Sequence, residues 1–216
     1  LSGTVTDIDG NVYQTVTIGT QVWMAENLKV THYNNGDSIP CVVADSNTWT
    51  GLVTGACCAY DNDVSNVATY GRVYNWYATT DARNLAPSGW HVPTDAEWKQ
   101  LEVFLGMPVE LVDGMGNRGG SPVGAKLKEA GTAHWTCPNT TSTNETGFTA
   151  LPGGSLDNRP VFTGFGTDVL FWTSTEFAVG STAAWARDMT CNLASIGRNG
   201  FAKDYGASVR CIQDEP

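Results

Sequence analysis

Basic residues are scarce in this 216-residue chain: 12 Lys and Arg stand against 22 Asp and Glu, for a formal charge of −10. The few cations are scattered, so there is no electrostatic footprint for a phosphate backbone or an anionic lipid surface. Nucleic acid and direct membrane insertion are therefore set aside as partners. No apolar run approaches the roughly 18 residues that span a bilayer. No C-x-x-C occurs, and the three histidines, His32, His91 and His134, are dispersed, so zinc-site spacing is absent. G-x-G-x-x-G, P-loop, G-x-S-x-G and H-E-x-x-H motifs are missing too, which removes the common nucleotide, hydrolase and metalloprotease readings. There is no internal repeat and no Pro/Ser linker, so residues 1–216 read as one domain. The chain opens at Leu1 with no signal peptide, which reads as a mature or excised fragment of a larger protein.

Gly, Thr, Ser, Asn and Trp are plentiful, the balance of a loop-rich, mostly β, extracellular domain. The six cysteines, Cys41, Cys57, Cys58, Cys137, Cys191 and Cys211, form an even set that favours disulfides and an oxidising compartment. Fifteen full pairings remain open. A bridge from Cys41 to Cys57 or Cys58 would staple the loop between them, contributing roughly 3 kcal/mol in the chain-entropy model.

Along the chain, β-branched and aromatic residues from Val5 to Trp23 predict a hairpin turning at Asp9-Gly10-Asn11 and leading into a further strand. D-x-D-G-N resembles part of a calcium loop, but Gly10 comes too early and Ile18 occupies the place of the bidentate glutamate. Residues 31–68 are polar and irregular, a long loop or insertion pinned by disulfide. Tyr70 to Ala78 is an aromatic segment that suits either a strand or a short helix. Thr94-Asp95-Ala96-Glu97 has the form of a capping box, and Pro93 stops the helix upstream. Asp95 suits the first turn of the helix dipole. Trp98, Leu101, Phe104 and Leu105 give one apolar face, and Gly106 ends the helix. His91, just before it, has no assigned task. A second helix is predicted from Pro122 to Ala130, with Ser121 as cap and Gly131 as stop. Strands are expected over 148–151, 169–174, 183–189, 196–202 and 207–212. With two central helices, a hairpin first and strands last, the fold class is α+β.

The segments DIDGNVYQTVTIGTQVWMAENL, YGRVYNWYA, GWHVPTDAEWKQL, GAKLKEAG, NETGFTALPGG, FWTSTE and YGASVRCI occur in this order from about Gly3 to Asp214. Together they resemble the Fibrobacter succinogenes major paralogous domain family. That resemblance implies a C-type lectin-like fold, shared with formylglycine-generating enzymes, and a place in bacterial surface and secreted proteins. It also implies a cysteine ahead of P-x-G-W-H bonded to the cysteine of S-V-R-C. Ala86 stands at the first position here, so Cys211 is expected to pair instead with Cys191 from an adjacent antiparallel strand. The sugar motifs E-P-N, Q-P-D and W-N-D of calcium-dependent lectins are missing.

A second resemblance, to the variable proteins of diversity-generating retroelements, places ligand contacts in the C-terminal strands and loops, residues 170–212. There a scaffold of Trp172, Trp185, Gly206 and Val209 alternates with residues expected to point outward: Glu176, Phe177, Arg187, Asn192, Arg198, Asn199, Phe201 and Tyr205. Aromatic and Arg side chains are the types enriched at binding hot spots. Glu145, Asp157 and Asn158 are the candidate calcium ligands. The expected function is non-catalytic recognition of a protein or glycan on a cell or viral surface, as an adhesin, receptor-binding protein or variable protein. The alternatives are a structural subunit of a surface filament or layer, and a thiol/copper oxidase of the formylglycine-generating type.

Overall fold

The computed structural model describes residues 2–215. The chain begins with β1 (Ser2–Thr6), β2 (Val12–Ile18) and β3 (Gln21–Met24). A long irregular stretch follows to β4 (Cys57–Cys58), then α1 (Val67–Tyr70), β5 (Val73–Tyr74), α2 (Trp76–Thr79), β6 (Trp90–His91) and α3 (Asp95–Phe104). After β7 (Gly116–Asn117) and α4 (Val123–Leu127) come β8 (Gly153–Leu156), β9 (Phe162–Phe165), β10 (Asp168–Glu176), β11 (Ala183–Thr190), β12 (Gly197–Ala202) and β13 (Ile212–Gln213).

The strands form a five-stranded sheet in the order β1-β2-β3-β13-β6 and a six-stranded sheet in the order β7-β12-β11-β10-β8-β9; β4 and β5 pair separately. All strand pairs are antiparallel except β8–β10. This is an α+β fold. The N-terminal hairpin and the last strand share one sheet, so the two ends of the chain close the molecule together.

The hairpin turn is held by Asp7. Its carboxylate accepts from the amides of Asp9 (3.0 Å) and Asn11 (2.9 Å) and from the Tyr13 hydroxyl (2.6 Å). Those bonds use the carboxylate, and Gly10, at φ +84°, makes the turn. The 31–68 stretch is pinned as expected by Cys41–Cys57. Its Trp49 is fully buried and donates its indole N–H to the Asp204 carbonyl.

Residues 70–78 resolve into both forms the sequence left open, a two-residue strand and a one-turn helix capped by Asn75 accepting from the Ala78 amide. The expected helix over 122–130 is shorter. Pro122 is its N-cap rather than its first residue, and Lys128 is already extended. The reason is Lys128 itself: its buried ammonium donates to the carbonyls of Thr190 (2.7 Å) and Leu193 (2.8 Å), so the backbone bends to send it there. Residues 148–151 form no strand, because Thr149 sits at φ +55°. Of 207–212 only the end is in a strand; buried Arg210 there donates to the carbonyls of Phe148 and Thr149 and to Asn27 Oδ1.

Strand alternation sends neighbouring residues of the six-stranded sheet into two cores. Leu170, Trp172, Ala184 and Ala186 join Tyr13, Met24, Tyr74 and Trp90 on one face. Val169, Phe171 and Met189 join Trp23, Trp98, Trp135 and Phe148 on the other.

The second core lies under α3. The capping box is formed as the sequence predicts: Thr94 Oγ1 accepts from the Glu97 amide (3.2 Å), and Glu97 Oε2 accepts from the Thr94 amide (2.7 Å). Asp95 does more than favour the helix dipole. It is buried, and it accepts from Arg187 Nη1 (2.8 Å) and from Arg198 Nε and Nη2 (both 2.8 Å). Fully buried Glu102 accepts from Arg118 (2.6 and 2.8 Å) and from Arg187 Nε (2.5 Å). Burial alone would raise the Asp95 carboxyl, but Arg198 and Arg187 hold it well below the usual carboxylate range. Arg187 and Arg198, expected to point outward, are therefore interior residues. Period-2 alternation puts them on the face packed against α3, where two carboxylates meet them.

A second correction concerns the cysteines. Cys191 bonds Cys137, and Cys211 is a free, buried thiol. The chain turns away after β11, so Cys191 faces the irregular segment around Cys137 rather than the β13 approach. Cys58, vicinal to the bridged Cys57, is also free. The two free thiols sit in different core clusters rather than side by side, and burial pushes the Cys58 thiol up to about 12. Two disulfides fit folding in an oxidising compartment.

Candidate binding groove

The antiparallel register sets Asp168 opposite Thr190, Leu170 opposite Asp188, Asp188 opposite Gly197, and Ala184 opposite Phe201. With side chains alternating, Asp168, Leu170, Asp188, Thr190, Asn199 and Phe201 share one face of β10, β11 and β12. Deep along that face the residues are core. Toward the Asp168 end the core stops and the face opens. The β8–β9 hairpin curls over this end, so that Ser155, Thr163 and Gly164 form a facing wall, and a cavity of about 220 Å³ lies between. Two glycines make the geometry possible. A Cβ on Gly197 would come within 2.3 Å of the Asp188 carboxylate, and one on Gly164, at φ +75°, within 2.8 Å of Asp168 Oδ2. Each carboxylate lies flat against bare backbone.

The polar groups of the groove are unequally provided for. Asn199 Nδ2 donates to Asp188 Oδ1 (2.7 Å), and Asn199 Oδ1 accepts from the Gly116 amide (3.1 Å). The Thr167 hydroxyl donates to Asp168 Oδ2 (2.7 Å), and the Thr190 hydroxyl to Asn192 Oδ1 (2.8 Å). The Ser155 and Thr163 hydroxyls meet at 3.4 Å. Burial raises the Asp188 carboxyl above its ordinary range, more than Asn199 and the distant Arg118 lower it. Leu170 and Phe201 supply apolar surface, and the Phe201 ring leans on Tyr205 with centroids 5.5 Å apart.

Of the eight residues expected to contact a ligand, Asn199 and Phe201 line the groove and Tyr205 backs it. Asn192 is exposed just beyond Thr190. Glu176 is ion-paired to Lys203 (2.5 Å), and Phe177 packs at 4.4 Å on Trp185, which in turn covers the Arg198 guanidinium. Asp168, Asp188, Thr190, Ser155 and Thr163 were not singled out from sequence. The available signal was DVLFW and ARDMT: an acid at the end of an apolar strand, and an acid directly after an arginine, hence on the opposite face.

The calcium candidates do not converge. Glu145 pairs with Lys126 at 3.1 Å. Asp157 is buried in the β8–β9 turn and accepts from the amides of Arg159 and Val161 and from the Arg159 guanidinium, while Asn158 is exposed. Among the described residues no group of three or more His, Cys, Asp or Glu is placed to hold a metal ion. A larger recess, about 610 Å³ between the β2–β3 turn and α3, is walled by Ile18, Val103 and Phe104 with only uncharged polar groups on its rim. Unlike that recess, the smaller groove combines charge, hydrogen-bonding capacity and apolar surface.

A family model described as Fibrobacter succinogenes major domain matches residues 16–213, which takes in the six-stranded sheet, the groove and the five-stranded sheet from the end of β2 onward. The chain belongs to the Fibrobacter succinogenes major domain family. No curated protein and no solved structure matched the chain. The family assignment agrees with the ordered sequence motifs, and every residue lining the groove lies within the matched span.

Proposed function

We propose that this chain is a non-catalytic recognition module of the C-type lectin-like type, carried on a bacterial surface or secreted protein, that binds its ligand in the β8–β12 groove. The observation that carries this reading is the groove itself. It is a concave end of a rigid sheet where core packing stops, with two carboxylates, an amide, hydroxyls and an aromatic ring converging on one small space. The closure of the N-terminal hairpin with the last strand supports the lectin-like reading, and the two disulfides support an extracellular setting.

The test is a screen of the labelled protein against glycan arrays and cell-surface proteins, with Phe201→Ala as control. Binding that the variant loses is expected. Binding that Phe201→Ala retains, or no binding on any surface, overturns the assignment to this groove. A near-identical template repeat beside the coding DNA, differing only at its adenines, would extend the reading to a retroelement-diversified variable protein.

A further inference from the structure

We propose that the groove takes a single basic side chain, an arginine or lysine of a protein partner; this rests on the groove being the ligand site. Size is the first constraint. About 220 Å³ is below the range of pockets that enclose drug-sized ligands, so the cavity accepts one side chain or one ring rather than a chain of sugars.

Hydrogen-bond capacity is the second. One N–H of Asn199 and the hydroxyls of Thr167 and Thr190 are directed to acceptors inside the protein. Among the described residues, the second oxygens of the two carboxylates, Asp168 Oδ1 and Asp188 Oδ2, accept nothing. A ligand that brings donors can use both of these oxygens. Charge is the third constraint. No Lys, Arg or His lines the cavity, and Arg118 and Arg187, whose charges reach Asp188, are themselves bonded to Glu102 and Asp95. Two carboxylates on diagonal positions of paired strands, positions roughly 7–8 Å apart by sheet geometry, can grip opposite edges of one guanidinium or flank one ammonium. The Leu170 and Phe201 surfaces suit the aliphatic stem and a cation–π contact. A neutral sugar would satisfy the acceptors but leave both charges uncompensated.

The experiment is a ¹⁵N-HSQC titration of the intact chain with acetyl-Gly-Arg-Gly-amide and its lysine counterpart. The citrulline peptide, which has nearly the shape of the arginine one without its charge, and methyl hexopyranosides complete the probe set. The basic peptides should shift amides at Asp168, Asp188, Thr190, Asn199 and Phe201. Citrulline should bind about tenfold more weakly or worse, as expected for loss of one charge-assisted hydrogen bond. Asp168→Asn and Asp188→Asn should each weaken the basic peptides by a similar factor, with the rest of the spectrum certifying the fold. Citrulline binding equally well, or basic peptides shifting residues elsewhere, overturns the proposal. Pyranosides shifting the same residues while the basic peptides do not would also overturn it, yet leave the groove as a binding site. No response in the groove to any probe, together with a blank surface screen, overturns both readings.

Discussion

The two faces of β10–β12 are built from alternate residues of the same three strands, yet they treat charge in opposite ways. On the α3 side, Arg187 and Arg198 are buried and each meets a carboxylate at 2.8 Å or less. On the groove side, Asp168 and Asp188 meet only a hydroxyl, an amide and solvent. Arg187 and Asp188 are consecutive in the chain, so the difference is decided by what each face packs against, not by local composition. A closed network that satisfies its own charges specifies a fold. An open one leaves its acceptors unmatched, which is the basis for proposing it as a binding site.

The comparison breaks most visibly on the closed face. Arg187→Met should leave Glu102 and Asp95 short of a partner in the interior and cost on the order of 3–5 kcal/mol, read as a shift in urea midpoint. Next comes the boundary between the faces. Removing Cys137–Cys191, with a sequence separation of 54, should cost roughly 4 kcal/mol in the chain-entropy model, against roughly 3 for Cys41–Cys57 with its separation of 16. The ranking of the two Cys→Ala pairs in denaturant titrations is the check. Thr94→Ala should remove the α3 cap for about 1 kcal/mol.

His91 has a smaller, pH-dependent role. Its ring nitrogens reach Asp214 at 2.6 Å and Glu97 at 2.7 Å. Burial opposes its protonation, but the bonds to Asp214 and Glu97 outweigh that and raise its pKa. The stabilisation is thus fully present below pH of about 6.5 and is lost as pH rises through the raised folded value. For a half-exposed pair it amounts to about 0.2–1 kcal/mol. Wild type and His91→Gln should differ in melting temperature at pH 5 and converge toward pH 9. The smallest effect, of opposite sign, belongs to the open face. Asp188→Asn relieves a desolvated carboxylate whose neutral form the fold favours, so it should slightly stabilise the protein at pH 7 while weakening binding. A loss of stability there would mean that Asp188 serves the fold.

Much of this was legible in the sequence because it is local. The capping box of α3, the Asp9-Gly10 turn and the Cys41–Cys57 staple depend on residues within a turn or a short loop of one another. The late strands β10 to β12 were expected over 169–174, 183–189 and 196–202, close to where they form. What escaped was set at long range. Arg187 and Arg198 have the composition of a surface, and only their pairing with Asp95, 92 and 103 residues away, makes them core. Cys191 had a plausible partner by strand adjacency, but the chain leaves the sheet after Thr190 and meets Cys137 instead. β8 and β9 were missed because GGSL is half glycine and the Phe-Thr-Phe signal of FTGF is short and broken by Gly164; Gly154 and Gly164 adopt positive φ there. The groove fell in the gap between these two failures: half its wall is a hairpin whose strand signal is short and broken by glycine, and its two acids lie on strands judged by their apolar neighbours.

Lys128 carries a last consequence. Its ammonium, buried over the Trp135 ring, ties down the carbonyls of Thr190 and Leu193 where the chain leaves β11, beside the Cys137–Cys191 bridge. The lip of the cavity beyond Thr190 is thus a clamped edge rather than a flap. A partner docking there meets a shape already made, with little ordering cost to offset. Capture should then proceed in one kinetic phase without an isomerisation step, and variants should differ chiefly in how long the partner stays.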